Sequence, residues 1–386
     1  MRPLLFALVL GATACGSAGS ALPDAFVATI KSVDVTPTTL TVKRGISGPT
    51  QLTAKLALSD STTLDITGNA TWTSSDATVA TVAATGLVTP VGVGTAQITA
   101  DYRGVTSAAT MVTVDPTTMI LSDLGSLQLK VYDAFTDGPV LRQIAGPTTT
   151  LASPWGLAVD HDELFVADQN GSIEVFPANA TGELPPTRRL FGALTTLGNP
   201  YNLAVYKDEL YVASGNKILV FPVTADGNVA PTRTIMGPLS TLSSAAGIAV
   251  YNDEIYVTNF TSVVVFPTTA DGDLAPTRKI MGSHTFLNHC YNIFVANDEI
   301  YVTDLSGIRV WVRSADGDVS PIRNLTGPNT AISIATGVTL LGNELFVTNA
   351  GTTGTHVFSP SATGDAAPAR AVASTGIVNA RTIAFY

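Results

Sequence analysis

One stretch of text returns every 45 residues through the last two thirds of this chain, and a period of that length restricts the fold to an array of supersecondary units. Its first part reads Gly156-Leu157-Ala158-Val159 and recurs from Asn202, Gly247, Asn292, Gly337 and Thr382, at spacings of 46, 45, 45, 45 and 45 residues. A second part follows, as in Asp162-Glu163-Leu164-Phe165-Val166 and Asp253-Glu254-Ile255-Tyr256-Val257. A third run comes next, as in Ser172-Ile173-Glu174-Val175-Phe176. After a turn such as Asp226-Gly227 and a Pro, a fourth appears, as in Thr234-Ile235-Met236. Four short apolar runs per unit, with no helical segment between them, predict the blades of a β-propeller.

The ends of the repeat region set the blade count. Met119-Ile120-Leu121, Leu127 to Tyr132 and Leu141 to Ile144 supply the second, third and fourth strands of a unit that lacks a first. The missing strand stands at the far end, in Thr382-Ile383-Ala384-Phe385. Five complete units and one shared between the two ends predict a six-bladed propeller over residues 116–386, closed by its C-terminal strand so that no sheet edge is left open. This segment resembles six-bladed propellers of the NHL and TolB-like kind, and Tyr256-Val257-Thr258-Asn259 resembles the YVTN repeat. Those families include binding proteins, lactonases and lyases, so the resemblance implies a fold and leaves the activity open.

Residues 29–115 read differently. Thr- and Val-rich alternation, broken by Gly, Asp and Ser, predicts the short strands of a β-sandwich with Trp72 as a core plug. Ala70-Thr71-Trp72-Thr73-Ser74-Ser75-Asp76, Val79-Ala80-Thr81-Val82, Gly86-Leu87-Val88 and Gly94-Thr95-Ala96 resemble the bacterial Ig-like group 2 family. That resemblance implies a surface-protein stalk. The fold class expected for the whole chain is therefore all-β, a sandwich followed by a propeller.

Met1-Arg2-Pro3 and the apolar run Leu4 to Leu10 have the form of a signal peptide over residues 1–14 and are too short to span a bilayer. Gly11 to Cys15 resembles a bacterial lipobox. The resemblance implies that Cys15 is lipidated and that residues 15–28 form a flexible tether, with plain secretory cleavage near Ala14 as the alternative. No Asp follows Cys15, so the inner-membrane retention signal is missing. The expected location is the cell envelope, at the outer membrane or cell surface, with the membrane itself as one partner. With 20 basic and 30 acidic residues the chain carries a net charge of −10, which argues against nucleic acid as a partner. Two cysteines build neither a disulfide framework nor a four-thiolate zinc site.

Repetition separates scaffold from site, because one active site does not need the same residue in every blade. The once-per-blade Arg142, Arg188, Arg233, Arg278, Arg323 and Arg370 read as anchors between blades, paired with the repeated Glu, rather than as a basic binding ring. The repeats diverge at the crossovers between blades, which antiparallel order places at one mouth of the channel. Trp155, Tyr201, Tyr291 and Arg381 are expected near that mouth with Asn202 and Asn292 just inside. They form either a ligand site for a glycan, carboxylate, peptide or protein, or a plug packed between blades. Asp168, Asn259, Asp304 and Asn349, at the ends of second strands, are candidate oxygen ligands for calcium, with ordinary turn chemistry as the other reading. Cys290 is expected to be a lone thiol, since His289 points away from it on an extended segment and no third orienting group is evident. No cofactor is called for unless calcium is one. The functional expectation is a non-enzymatic binding protein, and the alternative is a calcium-dependent, lactonase-like hydrolase or lyase. Metabolic labelling with palmitate is expected to mark the wild-type protein and to leave Cys15→Ser unlabelled; an unlabelled wild type removes the anchor.

Overall fold

The computed structural model describes residues 28–350, 354–373 and 375–386, so Cys15 and the signal segment lie outside the described residues. The chain forms two compact units. One comprises the residues up to Leu40 with Thr50–Thr89 and Ala96–Val112; the other comprises Thr41–Pro49, Pro90–Thr95 and Thr113–Tyr386.

In the first unit, Ile30–Thr36, Thr53–Leu58 and Thr63–Asp65 form one sheet, and Gly94–Tyr102 pairs with Val105–Thr106, Thr110–Asp115 and Thr71–Ser74 in another. Alternation along these strands turns Val33, Ala54, Leu56, Ile98, Ala100 and Val112 inward, all of them almost fully buried. Trp72 departs from the expected core plug. Its ring is half-buried at the sandwich edge, where Nε1 donates to the Thr67 carbonyl at 2.9 Å. A Cβ at Gly86 would stand 2.8 Å from the Trp72 ring and 2.7 Å from the Leu52 carbonyl, and its φ of +78° suits glycine alone.

The second unit holds six four-stranded antiparallel sheets. The first strands of blades 1 to 5 are Pro154–Asp160, Asn202–Tyr206, Ala245–Tyr251, Ile293–Ala296 and Ala335–Leu341. The sixth sheet joins both ends of the repeat region: Ala380–Phe385 lies beside Thr118–Asp123, with Met119 opposite Phe385, Ile120 opposite Ala384 and Leu121 opposite Ile383. Gln128–Asp133 and Arg142–Ile144 complete it. The closed six-bladed ring expected from the period is the one found.

Two repeated devices make the blades alike. In blades 1 to 4 the Asx-Glu segment closes a two-residue hairpin with both central φ angles positive, as at Asn252 (+48°) and Asp253 (+61°) or Asn297 (+52°) and Asp298 (+59°). The Glu then meets the repeated Arg within its own blade, at 2.7 and 2.8 Å for Arg233–Glu209 and at 2.8 and 2.5 Å for Arg323–Glu299. The same guanidinium reaches a backbone carbonyl of the next blade: Arg188 that of Val223 at 2.9 Å, Arg233 that of Thr268 at 3.0 Å. The anchoring between blades thus runs through carbonyls, while the carboxylate partner is internal. In blades 2, 3 and 4 the Glu also accepts a bond from a buried tyrosine hydroxyl, as Glu254 does from Tyr256 at 2.6 Å.

These contacts set an acid limit. The Arg278 hydrogen bonds hold the Glu254 carboxyl down at about 2, against an ordinary 4.5. A depressed carboxyl stabilises the fold fully above the unfolded value and loses that contribution as pH falls through the folded one. Glu254→Gln is expected to cost about 2 kcal/mol at pH 7, with the difference from wild type shrinking between pH 4.5 and 2, read by denaturant titration. A constant difference across that window would contradict the pairing.

Candidate functional site

Each crossover enters its blade at the channel mouth, and the residue before the repeated Gly, Asn or Thr stands there. In blades 1, 2, 4 and 6 these residues are Trp155, Tyr201, Tyr291 and Arg381, all half-buried. Three of them form a stack. The Arg381 guanidinium carbon lies 4.3 Å from the Trp155 ring centroid, and the Tyr201 ring meets Trp155 edge-on at 5.6 Å and 78°. Tyr291 lies close enough to act electrostatically on Arg381. The geometry is compatible with cation–π attraction and with edge-to-face packing.

Hydroxyls of the preceding blade fix this stack from behind. Ser122 donates to the Trp155 carbonyl at 2.5 Å, as does Thr382, and Thr348 donates to the Arg381 carbonyl at 3.0 Å. Just inside, Gly156, Gly247 and Gly337 alternate around the axis with Asn202, Asn292 and Thr382. A Cβ on Gly156 would stand 2.5 Å from the Asn202 Cα, and one on Gly247 would stand 2.6 Å from the Asn292 Cα. The glycines therefore admit the neighbouring strand at contact distance.

Below the mouth runs an axial cavity of about 310 Å³. Of its lining residues only Asn202, Asn292, Thr339 and Thr382 are polar, and none is ionisable. Trp155, Tyr201, Tyr291 and Arg381 stand above this lining.

Arg381 is electrostatically unlike its neighbours. Every other propeller arginine meets a carboxylate or a backbone carbonyl, whereas the Arg381 guanidinium rests on the aromatic face of Trp155, and its buried Nε has no hydrogen bond among the described residues. Burial pulls its pKa below the ordinary arginine value, with Tyr291 acting in the opposite sense. Among the described residues it has no carboxylate partner.

The candidate calcium ligands do not converge. Asp168 accepts the amides of Ala152 at 2.7 Å and Ser153 at 3.0 Å. Asn259 accepts those of Ser243 at 2.8 Å and Ser244 at 2.9 Å, and Asn349 accepts those of Ser333 and Ile334. Each belongs to its own blade, where it secures the incoming crossover. Asp304 pairs instead with Arg309 and takes the Ser306 amide at 2.8 Å. Among the described residues no three His, Cys, Asp or Glu side chains group closely enough to hold a metal ion. This donor set does not fit calcium, because its oxygens already carry out turn chemistry in separate blades.

Cys290 is buried, and burial pushes its thiol up to about 12, so the thiolate needed for nucleophilic attack is scarce at neutral pH. His289 is exposed and packs on Phe260, with ring centroids 4.1 Å apart, while His284 pairs with Asp318.

One group escaped sequence reading. Position three of the third strand carries Lys130, Glu174, Arg309 and His356 in four blades, all buried. Lys130 and Arg309 neutralise Asp123 and Asp304. Glu174 instead lies beside Asp168. Burial first, and Asp168 further, raise its carboxyl to about 7, although Ser172 at 2.6 Å and Arg189 at 3.1 Å oppose the rise. The available signal was an ionisable residue at an inward position that holds Leu219 and Val264 in blades 2 and 3.

Comparisons with known proteins support this division of the chain. Residues 29–102 match the model of the bacterial Ig-like domain (group 2). Ice-binding protein 1 of Shewanella frigidimarina (strain NCIMB 400) is 31% identical over 120 residues, covering 29% of this chain and 13% of its own length. The chain therefore spans a small part of that relative. A solved chain from the crystal structure of a nidogen/laminin complex superposes with a TM-score of 0.52 at 12% identity, covering 70% of this chain and 98% of its own, which is a likeness of fold.

A raised carboxyl costs stability once pH exceeds its unfolded value, 4.5, and up to its folded value near 7. Glu174→Gln is expected to stabilise the protein by about 1–3 kcal/mol at pH 8, with the gain vanishing toward pH 4.5. A loss at pH 8 would mean that the Arg189 contact outweighs burial. With residues 29–102 matched and the six sheets in place, the chain carries a bacterial group 2 Ig-like domain followed by a six-bladed β-propeller.

Proposed function

We propose that this is a non-enzymatic protein of the cell envelope, lipid-anchored at Cys15, whose Ig-like domain serves as a stalk and whose propeller binds an extracytoplasmic ligand at the channel mouth. The observation that carries the reading is Arg381: a half-buried guanidinium, fixed against Trp155 and lacking a carboxylate, in a chain with a net charge of −10. Partial desolvation of a cation costs free energy that a structural role would offset with an acid or with backbone carbonyls, as Arg188, Arg233, Arg278, Arg323 and Arg370 do with a Glu and Arg142 does with the Ala178 and Ala180 carbonyls. An incoming anion supplies that partner, and a stacked guanidinium is already oriented for it. The absence of an ionisable group in the channel lining supports binding over acid–base chemistry at the same place.

The test is a screen of acidic and neutral glycans and peptides against the folded protein. An acidic ligand is expected to bind wild type and to lose at least tenfold in affinity with Arg381→Gln, with a comparable loss for Trp155→Ala. A confirmed ligand whose affinity neither substitution changes would place the site elsewhere and overturn the reading.

A further inference from the structure

We infer that the mouth and the axial channel form one site for a hydroxylated carboxylate of monosaccharide size, a uronate-type sugar acid, its carboxylate held by Arg381 and its hydroxyls hydrogen-bonded inside the channel. The inference rests on the reading of Arg381 given above and adds the ligand's chemistry.

Peptide edges form the channel wall. The first strand of each blade stands at the end of its sheet and pairs on one side only. In blade 2 the two-residue hairpin makes Tyr206 and Glu209 a hydrogen-bonded pair. Alternation then turns the N–H and C=O groups of Ala204 into the ladder and those of Leu203 and Val205 toward the axis. The same count turns Ile248 and Val250 of blade 3 and Ile293 and Val295 of blade 4 to the axis, and all six residues line the cavity. Their side chains pack into the apolar clusters between blades, so it is largely backbone that the channel meets.

Two side-chain amides at the mouth add to these groups. Arg381, Tyr201 and Tyr291 immediately precede Thr382, Asn202 and Asn292, which line the cavity. Asn202 spends its Oδ1 on the Leu203 amide at 2.8 Å, which leaves its Nδ2 donor. Asn292 is only 7% exposed. Thr303 takes its backbone groups, and its side-chain amide has no hydrogen bond among the described residues. A polar group so deeply buried costs free energy until something pairs with it. Arg381 and Asn292 thus stand on one path inward, a cation first and a neutral amide behind it.

That wall selects the ligand's body. Water satisfies unpaired strand edges, and whatever displaces it must reproduce the hydrogen bonds it made. A hydroxyl both donates and accepts, so a polyol serves N–H and C=O groups alike, whereas an alkyl chain leaves each of them unpaired. No lining side chain is ionisable, which keeps the charged end of the ligand at the mouth beside Arg381. Volume limits the size. At about 30 Å³ per water, a cavity of about 310 Å³ holds roughly ten waters, room for one sugar ring with its substituents.

Calorimetry on the wild-type protein with glucuronate, galacturonate and mannuronate tests this, with acetate, hexanoate and glucose as references. At least one of the three sugar acids is expected to bind, about tenfold or more tighter than hexanoate, than glucose and than its own methyl ester. Arg381→Gln is expected to weaken it by a similar factor. Asn292→Ala is expected to reduce its advantage over acetate by about fivefold, a ratio that a loss of folded protein would not change. Hexanoate or acetate binding as tightly as the best sugar acid, with Arg381 still required, overturns the channel inference and leaves the anion site at the mouth standing. So does Arg381-dependent binding of larger acidic glycans or peptides when none of the three sugar acids binds. If nothing in either set binds in an Arg381-dependent way, the channel holds water only and both readings fall.

Discussion

Six separate sheets become one body through a single strand pairing, that of Ala380–Phe385 with Thr118–Asp123. Without it the innermost strand of the sixth blade is missing, and the ladder groups of Thr118–Asp123 face the axis unpaired. With it, every blade has a neighbour on both sides, and the repeated Arg can join its own Glu to a carbonyl across the seam. Ring closure thus comes first, and the lateral contacts that look individually modest act around a closed circle.

The mouth follows from the same closure. Arg381 and Thr382 belong to the closing strand, and Trp155 belongs to the blade beside it. Arg381 meets Trp155 because the last strand of the chain returns to the start of the ring. The Ser122 hydroxyl, also in the closing sheet, donates to the Trp155 carbonyl and receives a bond from the Thr382 amide at 3.1 Å. The Arg381–Trp155 contact of the candidate site is therefore built where the closing blade meets the blade that follows it.

Much of this was legible from the text, and for a physical reason. A period of 45 residues reports the blade because each blade must bury the same faces, and the shared sheet is visible as one strand missing at one end and supplied at the other. The mouth residues were placed by antiparallel order alone. What the sequence could not display was how polar atoms are spent. Asp168, Asn259 and Asn349 look like metal ligands in one dimension, but their oxygens are occupied by crossover amides that only the folded chain brings within 3.2 Å. Trp72 looked like a core residue because of its size, yet its indole needs the Thr67 carbonyl and so sits at an edge. Glu174 was hidden by its period-two position, which reads as apolar in blades 2 and 3, where Leu219 and Val264 stand. The matched pairs at these positions, Asp123 with Lys130 and Asp304 with Arg309, show charge balanced blade by blade, and the first complete blade is where that balance gives way to two acids.

The closing sheet also decides how the ring answers to tension. Chain arriving from the N-terminal side joins the propeller at Thr118–Asp123, a strand with a hydrogen-bonded partner on either flank. Force transmitted along that strand must slide it against both partners at once, so the ladder bonds share the load instead of peeling one by one. A pull on the chain entering at Thr118 would load these two ladders in shear.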